Sequence, residues 1–168
     1  MKKRPAVKRH SFQILFICSG NICRSPMAEA SLRSRIPPDL KHVVSIKSAG
    51  IRAISGVPPT AEAELAAKLK GYSLRNHRSS PINDLVIETA DIILCMEPNQ
   101  CDYILTRYPR VASKLFPLKA YAQGEYDEIP DPFGFDIHHY RSTLELIDSE
   151  LTRIEPVLWE TIRQKIKK

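Results

Sequence analysis

The sequence predicts an α/β fold, an open doubly wound parallel sheet of four strands with helices on both faces. Three observations predict it. Phe12 to Ile17 and Asp91 to Met96 are short, almost wholly apolar runs, the pattern of strands buried on both faces of a parallel sheet. Strand-like and helix-like patterns alternate along the chain, as a parallel sheet with crossover helices requires. The first run ends in a glycine-containing turn that leads directly into a helix start, and such sheets bind ligands beyond the carboxyl ends of their strands.

The elements follow in order. Pro26 opens a helical stretch to about Arg35, with Met27, Ala30 and Leu32 on its inner side and Pro37-Pro38 closing it. His42 to Lys47 alternates towards the second strand. Thr60 to Lys70 is an alanine-rich helix with Thr60 as N-cap and Gly71 as its stop, and Ser80-Pro81 starts another short helix. Asp91 to Met96 is the third strand, Gln100 to Arg107 a helix and Lys114 to Leu118 the fourth strand. Asp136 to about Lys165 forms a long amphipathic helix, broken or bent at Pro156. The longest irregular stretch, Tyr121 to Gly134, carries Glu125, Asp127, Glu128 and Asp131, and long loops in compact folds are often functional.

A chain of 168 residues suits one compact domain, read as residues 11–168 behind a basic, flexible tail at 1–10. No apolar run reaches the roughly 18 residues of a membrane span, and the apolar stretch after Met1-Lys2-Lys3-Arg4 is too short for a signal peptide. A cytoplasmic protein is expected. The formal charge of +6 is concentrated in the ends: nine of the 25 basic residues lie in 1–10 and 163–168, where there are no acidic ones. Residues 11–162 thus keep 16 basic against 19 acidic residues, a net of −3, which argues against nucleic acid as a partner.

Cys18, Cys23, Cys95 and Cys101 do not form a disulfide framework in a chain with a full core, and are expected as reduced thiols. Their spacings come without a convincing histidine pair, so neither zinc nor any other metal or cofactor is expected.

The chemistry gathers in Cys18-Ser19-Gly20-Asn21-Ile22-Cys23-Arg24-Ser25-Pro26. Between a buried strand and a helix start, successive N–H groups form an anion nest, with Gly20 and Asn21 both able to take left-handed conformations. Arg24 adds a planar fork that can hold two oxygens of a phosphate. Cys18 opens the loop, so its sulfur points into the nest, where N–H groups and Arg24 favour thiolate over thiol. A nucleophile then faces phosphorus. A departing phenolate or amine needs a proton, and Asp131, with acidic neighbours in its loop, is placed to give one.

These residues resemble the low-molecular-weight protein tyrosine phosphatases over about residues 12 to 155. Cys18 to Pro26 is similar to that family's phosphate loop, Ser48-Ala49-Gly50 to the segment after its second strand, and Asp131-Pro132 to its general-acid motif. The resemblance implies a phosphatase acting through a cysteinyl-phosphate, with Cys18 as nucleophile, Arg24 as transition-state clamp and Asp131 as proton donor. It further implies that Ser25 donates to the Cys18 sulfur, and that Asn21, Ser48 and His77 hold the loop in shape. Cys23 stands where it could close a reversible disulfide with Cys18, or simply pack. His138 and His139 read as exposed helix residues.

For the substrate, Ile22 and Phe133 are assigned to the pocket wall. The resemblance divides between phosphotyrosine enzymes, with an aliphatic residue at the place of Ile22, and a phosphoarginine branch with threonine there. An aliphatic wall packs on an aromatic ring and offers nothing to a guanidinium, so phosphotyrosine is expected. Phe133 fits both branches, and Ser19 leaves a wider rim than the bulkier residue of many relatives. Three alternatives stand beside this reading: a protein-arginine phosphatase, an arsenate reductase relaying electrons through Cys95 and Cys101, and a phosphoprotein-binding module without turnover. Met96-Glu97, similar to the phosphatases' Met-acid step, argues against the reductase.

Overall fold

The structure is a computed structural model and describes residues 11–167. The basic segment read as a flexible tail at 1–10 lies outside the described residues, as does Lys168. Four parallel strands, β1 (Phe12–Cys18), β2 (Val44–Gly50), β3 (Ile92–Cys95) and β4 (Leu115–Pro117), form one sheet in the order β2-β1-β3-β4. Among the described residues, no helix is long and apolar enough to cross a membrane.

Strand alternation divides the interior in two. Ile14, Phe16 and Cys18 of β1 face one core, and Leu15 and Ile17 face the other. All four residues from Ile14 to Ile17 are buried, each contributing about 1.5–3 kcal/mol relative to an exposed side chain. The first core is completed by helices α1 (Arg24–Ser34), α2 (Ala61–Leu69) and α5 (Ile137–Ile166), the second by α3 (Asp84–Thr89) and α4 (Pro98–Arg107). Cys95 and Cys101 lie in the second core, on the sheet face opposite Cys18.

Caps explain where the helices start. The Thr60 hydroxyl accepts from the Ala63 N–H at 3.2 Å, and α2 ends before Gly71, which adopts φ +82°. Asn83 caps α3 by accepting from the Val86 N–H at 2.9 Å. The helix start expected at Ser80-Pro81 is therefore wrong: Pro81 forms a β-bridge with Gly50, and the Ser80 carbonyl accepts from the Gly50 N–H. α4 begins with Pro98 and a capping box in which Glu97 and Gln100 satisfy each other's backbone.

Three other boundaries move. α1 starts at Arg24 rather than Pro26, and its buried face holds Met27, Ala28, Ser31 and Leu32, with Ala30 only half-buried. β2 runs further than expected, to Gly50, because its pairing with β1 continues to Cys18. α5 continues through Pro156 as one element, since a buried stripe from Tyr140 to Ile162 spans both sides of the proline. That packing outweighs the roughly 3 kcal/mol a helix-interior proline costs.

Candidate active site

β1 ends at Cys18, α1 begins at Arg24, and the five residues between them curl around the Cys18 sulfur. Asn21 is the only one of these five with positive φ, at 56°. Gly20, expected to share that role, does not take it. An asparagine in the left-handed region is tolerated when its surroundings over-determine it, and here they do. Its Oδ1 accepts from the Ser80 N–H at 2.8 Å, which fixes the amide so that Nδ2 faces the loop. Nδ2 donates to Ser25 Oγ at 2.8 Å and to Ser48 Oγ at 2.9 Å. The Asn21 carbonyl accepts from His77 Nε2 at 2.7 Å, so that nitrogen carries the proton. Asn21 is thus hydrogen-bonded to both Ser48 and His77.

Proton placement reaches the sulfur. Because Ser25 Oγ accepts from Asn21, its own proton is free to point at Cys18 Sγ, 2.9 Å away. The Asn21 N–H donates to the same sulfur at 3.2 Å. Cys23 stands at the N-cap of α1 without a side-chain cap bond, and the first turn has no acidic residue, so the positive helix end is left to an anion.

Arg24 is the largest of the fully buried side chains, at 2% exposure. Its guanidinium contacts Glu97 Oε1 at 2.6 Å, donates to the Ile129 carbonyl at 2.8 Å and meets Asp131 Oδ2 at 3.1 Å. A buried arginine needs such partners, because an unpaired charge there would be expensive. Asp131 comes from the loop after β4, so the two loops beyond the strand ends do meet. Of its acidic neighbours, Asp127 pairs with Lys119, and Asp131 Oδ1 accepts from the Phe133 N–H at 3.1 Å.

Ile22 is half-buried, its Cγ1 close to Gly20, and Phe133 is 60% exposed. Ser19 Oγ lies 3.4 Å from Gln100 Nε2. The Cys23 sulfur sits against the Tyr140 hydroxyl at 3.4 Å and Thr60 Oγ1 at 3.5 Å, and burial pushes its thiol up from the ordinary value. His138 and His139 are not drawn into the site; His139 Nδ1 pairs with Asp136 at 2.8 Å.

Three supporting residues were missed from the sequence. Glu29 accepts from Ser48 Oγ at 2.5 Å and closes the far end of the asparagine network. Glu97 was noted only within a motif, yet it holds Arg24. Gln100, almost fully buried, accepts from the Met96 and Glu97 N–H groups at 3.0 and 3.1 Å. The Glu97-x-x-Gln100 spacing ahead of an apolar helix is a readable capping box; Glu29 leaves no such signal.

A family model described as "Low molecular weight phosphotyrosine protein phosphatase" matches residues 13–168. The chain is similar to the Protein-arginine-phosphatase of Geobacillus stearothermophilus, 36% identical over 143 residues that cover 85% of this chain and 93% of the relative. It is also similar to the low molecular weight protein-tyrosine-phosphatase PtpB of Staphylococcus epidermidis, 38% identical over 141 residues, 81% of this chain and 94% of the relative. Among solved structures, the YwlE arginine phosphatase from Geobacillus stearothermophilus superposes with a TM-score of 0.82 at 35% identity, covering 90% of this chain and 96% of that one.

Proposed function

Because the chain belongs to the low molecular weight phosphotyrosine protein phosphatase family, we propose that it hydrolyses phosphotyrosine on proteins through a phosphorylated Cys18. The observation that carries this reading is the convergence of the Cys18 sulfur, the open start of α1 and the Arg24–Asp131 pair.

The phosphate lies in the nest with its oxygens on loop N–H groups and the Arg24 fork. The Cys18 sulfur attacks phosphorus in line, the ester P–O bond breaks, and Asp131 gives its proton to the departing phenolate. Arg24 follows the charge on the equatorial oxygens. Water then attacks the cysteinyl-phosphate, Asp131 takes its proton back, and inorganic phosphate leaves. The Ser25 hydroxyl, 2.9 Å from the sulfur, stabilises the departing thiolate in this second step. No cofactor is needed. Four free thiols among the described residues support a reducing, cytoplasmic setting.

Identity does not choose the substrate, since relatives of both names match at 36% and 38%. Ile22 supports phosphotyrosine, because its aliphatic wall suits a phenyl ring and offers no acceptor of its own to a guanidinium. A specific observation keeps phosphoarginine as the second reading: the Glu97 and Asp131 carboxylates both lie at the site and can accept from a guanidinium. The test compares kcat/KM on matched peptides bearing phosphotyrosine, phosphoarginine and phosphoserine, for the natural enzyme and Ile22→Thr. Phosphotyrosine should lead, and Ile22→Thr should move the preference toward phosphoarginine. A natural preference for phosphoarginine sinks the first reading.

A further inference from the structure

A groove of about 890 Å³ lies behind the phosphate loop, between α1, β2, the loop from Gly71 to Ser80, and α3. It lies outside the Cys18 chemistry, yet two of its lining residues, Ser48 and His77, are the side chains that hold Asn21. Its volume is in the range of small-molecule sites. Its charge runs against the mildly acidic body of the chain: Arg33, Lys47 and Arg78 line it, against the single carboxylate of Glu29. Glu29 is already engaged by Arg33 and Ser48. The walls also carry apolar surface, including Leu85, which is 73% exposed and packs in neither core.

We propose that this groove is a second binding site, for a small organic anion with a flat apolar body, and that its occupancy is felt at Cys18. With Arg33 engaged by Glu29, Lys47 and Arg78 hold the anionic group, and Leu85 with its neighbours covers the body. The route to the nucleophile is two hydrogen bonds long, from His77 Nε2 to the Asn21 carbonyl and from the Asn21 N–H to the sulfur. A hydrogen bond from Ser48 Oγ to the anion displaces Glu29, whereas one that His77 Nε2 donates is made at the expense of the Asn21 carbonyl. The left-handed backbone of Asn21 is then less well supported, and turnover falls.

The probe is 2-naphthoate, titrated into isotope-labelled protein with saturating inorganic phosphate present to occupy the phosphate loop. Saturable, one-site amide shifts are expected around Ala30, Lys47 and Val86, and at Asn21. Lys47→Glu should weaken the affinity at least fivefold. With p-nitrophenyl phosphate, saturating 2-naphthoate should lower kcat at least twofold without raising KM. Absence of saturable binding, shifts centred on Phe133, or indifference to Lys47→Glu would overturn the site. Binding in the groove with kcat unchanged would overturn the coupling. The kcat measurement rests on the proposed phosphatase mechanism and the binding measurement does not, so an inactive protein that still bound 2-naphthoate here would count against that mechanism alone.

Discussion

The guanidinium of Arg24 and the carboxylate of Asp131 stand 3.1 Å apart, joining the loop after β1 to the loop after β4. The residues proposed as transition-state clamp and proton donor thus pair directly. Asp131→Ala removes the donor. It should lower kcat/KM on phosphotyrosine peptides by about 10²-fold or more, the usual contribution of a general acid. On a dinitrophenyl phosphate, whose leaving group departs without help, the loss should be no more than a few-fold. A plot of rate against leaving-group pKa checks this, and equal losses across the series would assign Asp131 a structural role.

Arg24→Lys should not rescue function. The guanidinium reaches Glu97, Ile129 and Asp131 at once through its fork, whereas an ammonium is a point charge that cannot span equatorial oxygens. The expected loss in kcat is at least about 10²-fold, comparable to removing a preorganised oxyanion donor. Retention of activity within a few-fold would remove the clamp from the mechanism.

How much of this was legible depended on whether the signal was local. Phe12 to Ile17 announced a buried strand because a strand buried on both faces must be apolar at every position, and the nine-residue phosphate loop announced itself because its chemistry is contiguous in the chain. The start of α3 was misplaced because Ser80-Pro81 looks like a helix start, while its Ser80 carbonyl and N–H are used by Gly50 and Asn21. Nothing within a few residues of Ser80 encodes those partners. Glu29 was invisible for the same reason: its role depends on Ser48, brought to it by strand pairing rather than by sequence. The passage of α5 through Pro156 was decided by a stripe of core contacts that outweighs a local propensity.

Asn21 offers a way to separate backbone strain from hydrogen bonding. Asn21→Gly relieves the left-handed backbone but deletes every side-chain bond, while Asn21→Ala deletes the same bonds and adds the strain of a Cβ at φ 56°. Both should lose activity. Asn21→Ala should also be less stable than Asn21→Gly, by about 1 kcal/mol, in denaturant unfolding. Ser48→Ala, which removes one bond to Nδ2, should be milder than either in kcat. Equal stability of the two Asn21 variants would show that the loop relaxes out of its left-handed turn.

Gly50 is the tightest point of the scaffold beneath the loop. A Cβ there would stand 2.6 Å from the Ser19 carbonyl oxygen and 3.0 Å from the Asn21 nitrogen, both backbone atoms that cannot turn aside. Gly50→Ala should push the loop off Cys18, lowering kcat and inorganic phosphate affinity together. Thermal unfolding should show a drop of several degrees, as expected for overpacking at a rigid contact. An unchanged phosphate affinity would mean that β2 yields instead.

Oxidation tests the two roles open to Cys23. Peroxide converts the Cys18 thiolate to a sulfenic acid and releases hydroxide; if Cys23 resolves it, the Cys23 thiolate attacks that sulfur, forms the S–S bond and expels a second hydroxide. Burial is the largest influence on Cys23 and pushes its thiol up, with smaller opposing contributions from hydrogen bonds with Tyr140 and Thr60. A raised thiol holds its proton through neutral pH, and its thiolate fraction is still growing above the roughly 8.5 of an ordinary cysteine. Disulfide closure should therefore be slow at neutral pH and accelerate as pH rises through and beyond that range. Tyr140→Phe removes a hydrogen bond that favours the thiolate, so closure at any given pH should slow further. Mass spectrometry of peroxide-treated protein, quenched over time, follows the loss of two hydrogens from the Cys18–Cys23 pair. Closure that ignores pH would remove the raised Cys23 thiol from control of the rate, and sulfenic acid that persists at alkaline pH without a disulfide would leave Cys23 as a packing residue against Tyr140.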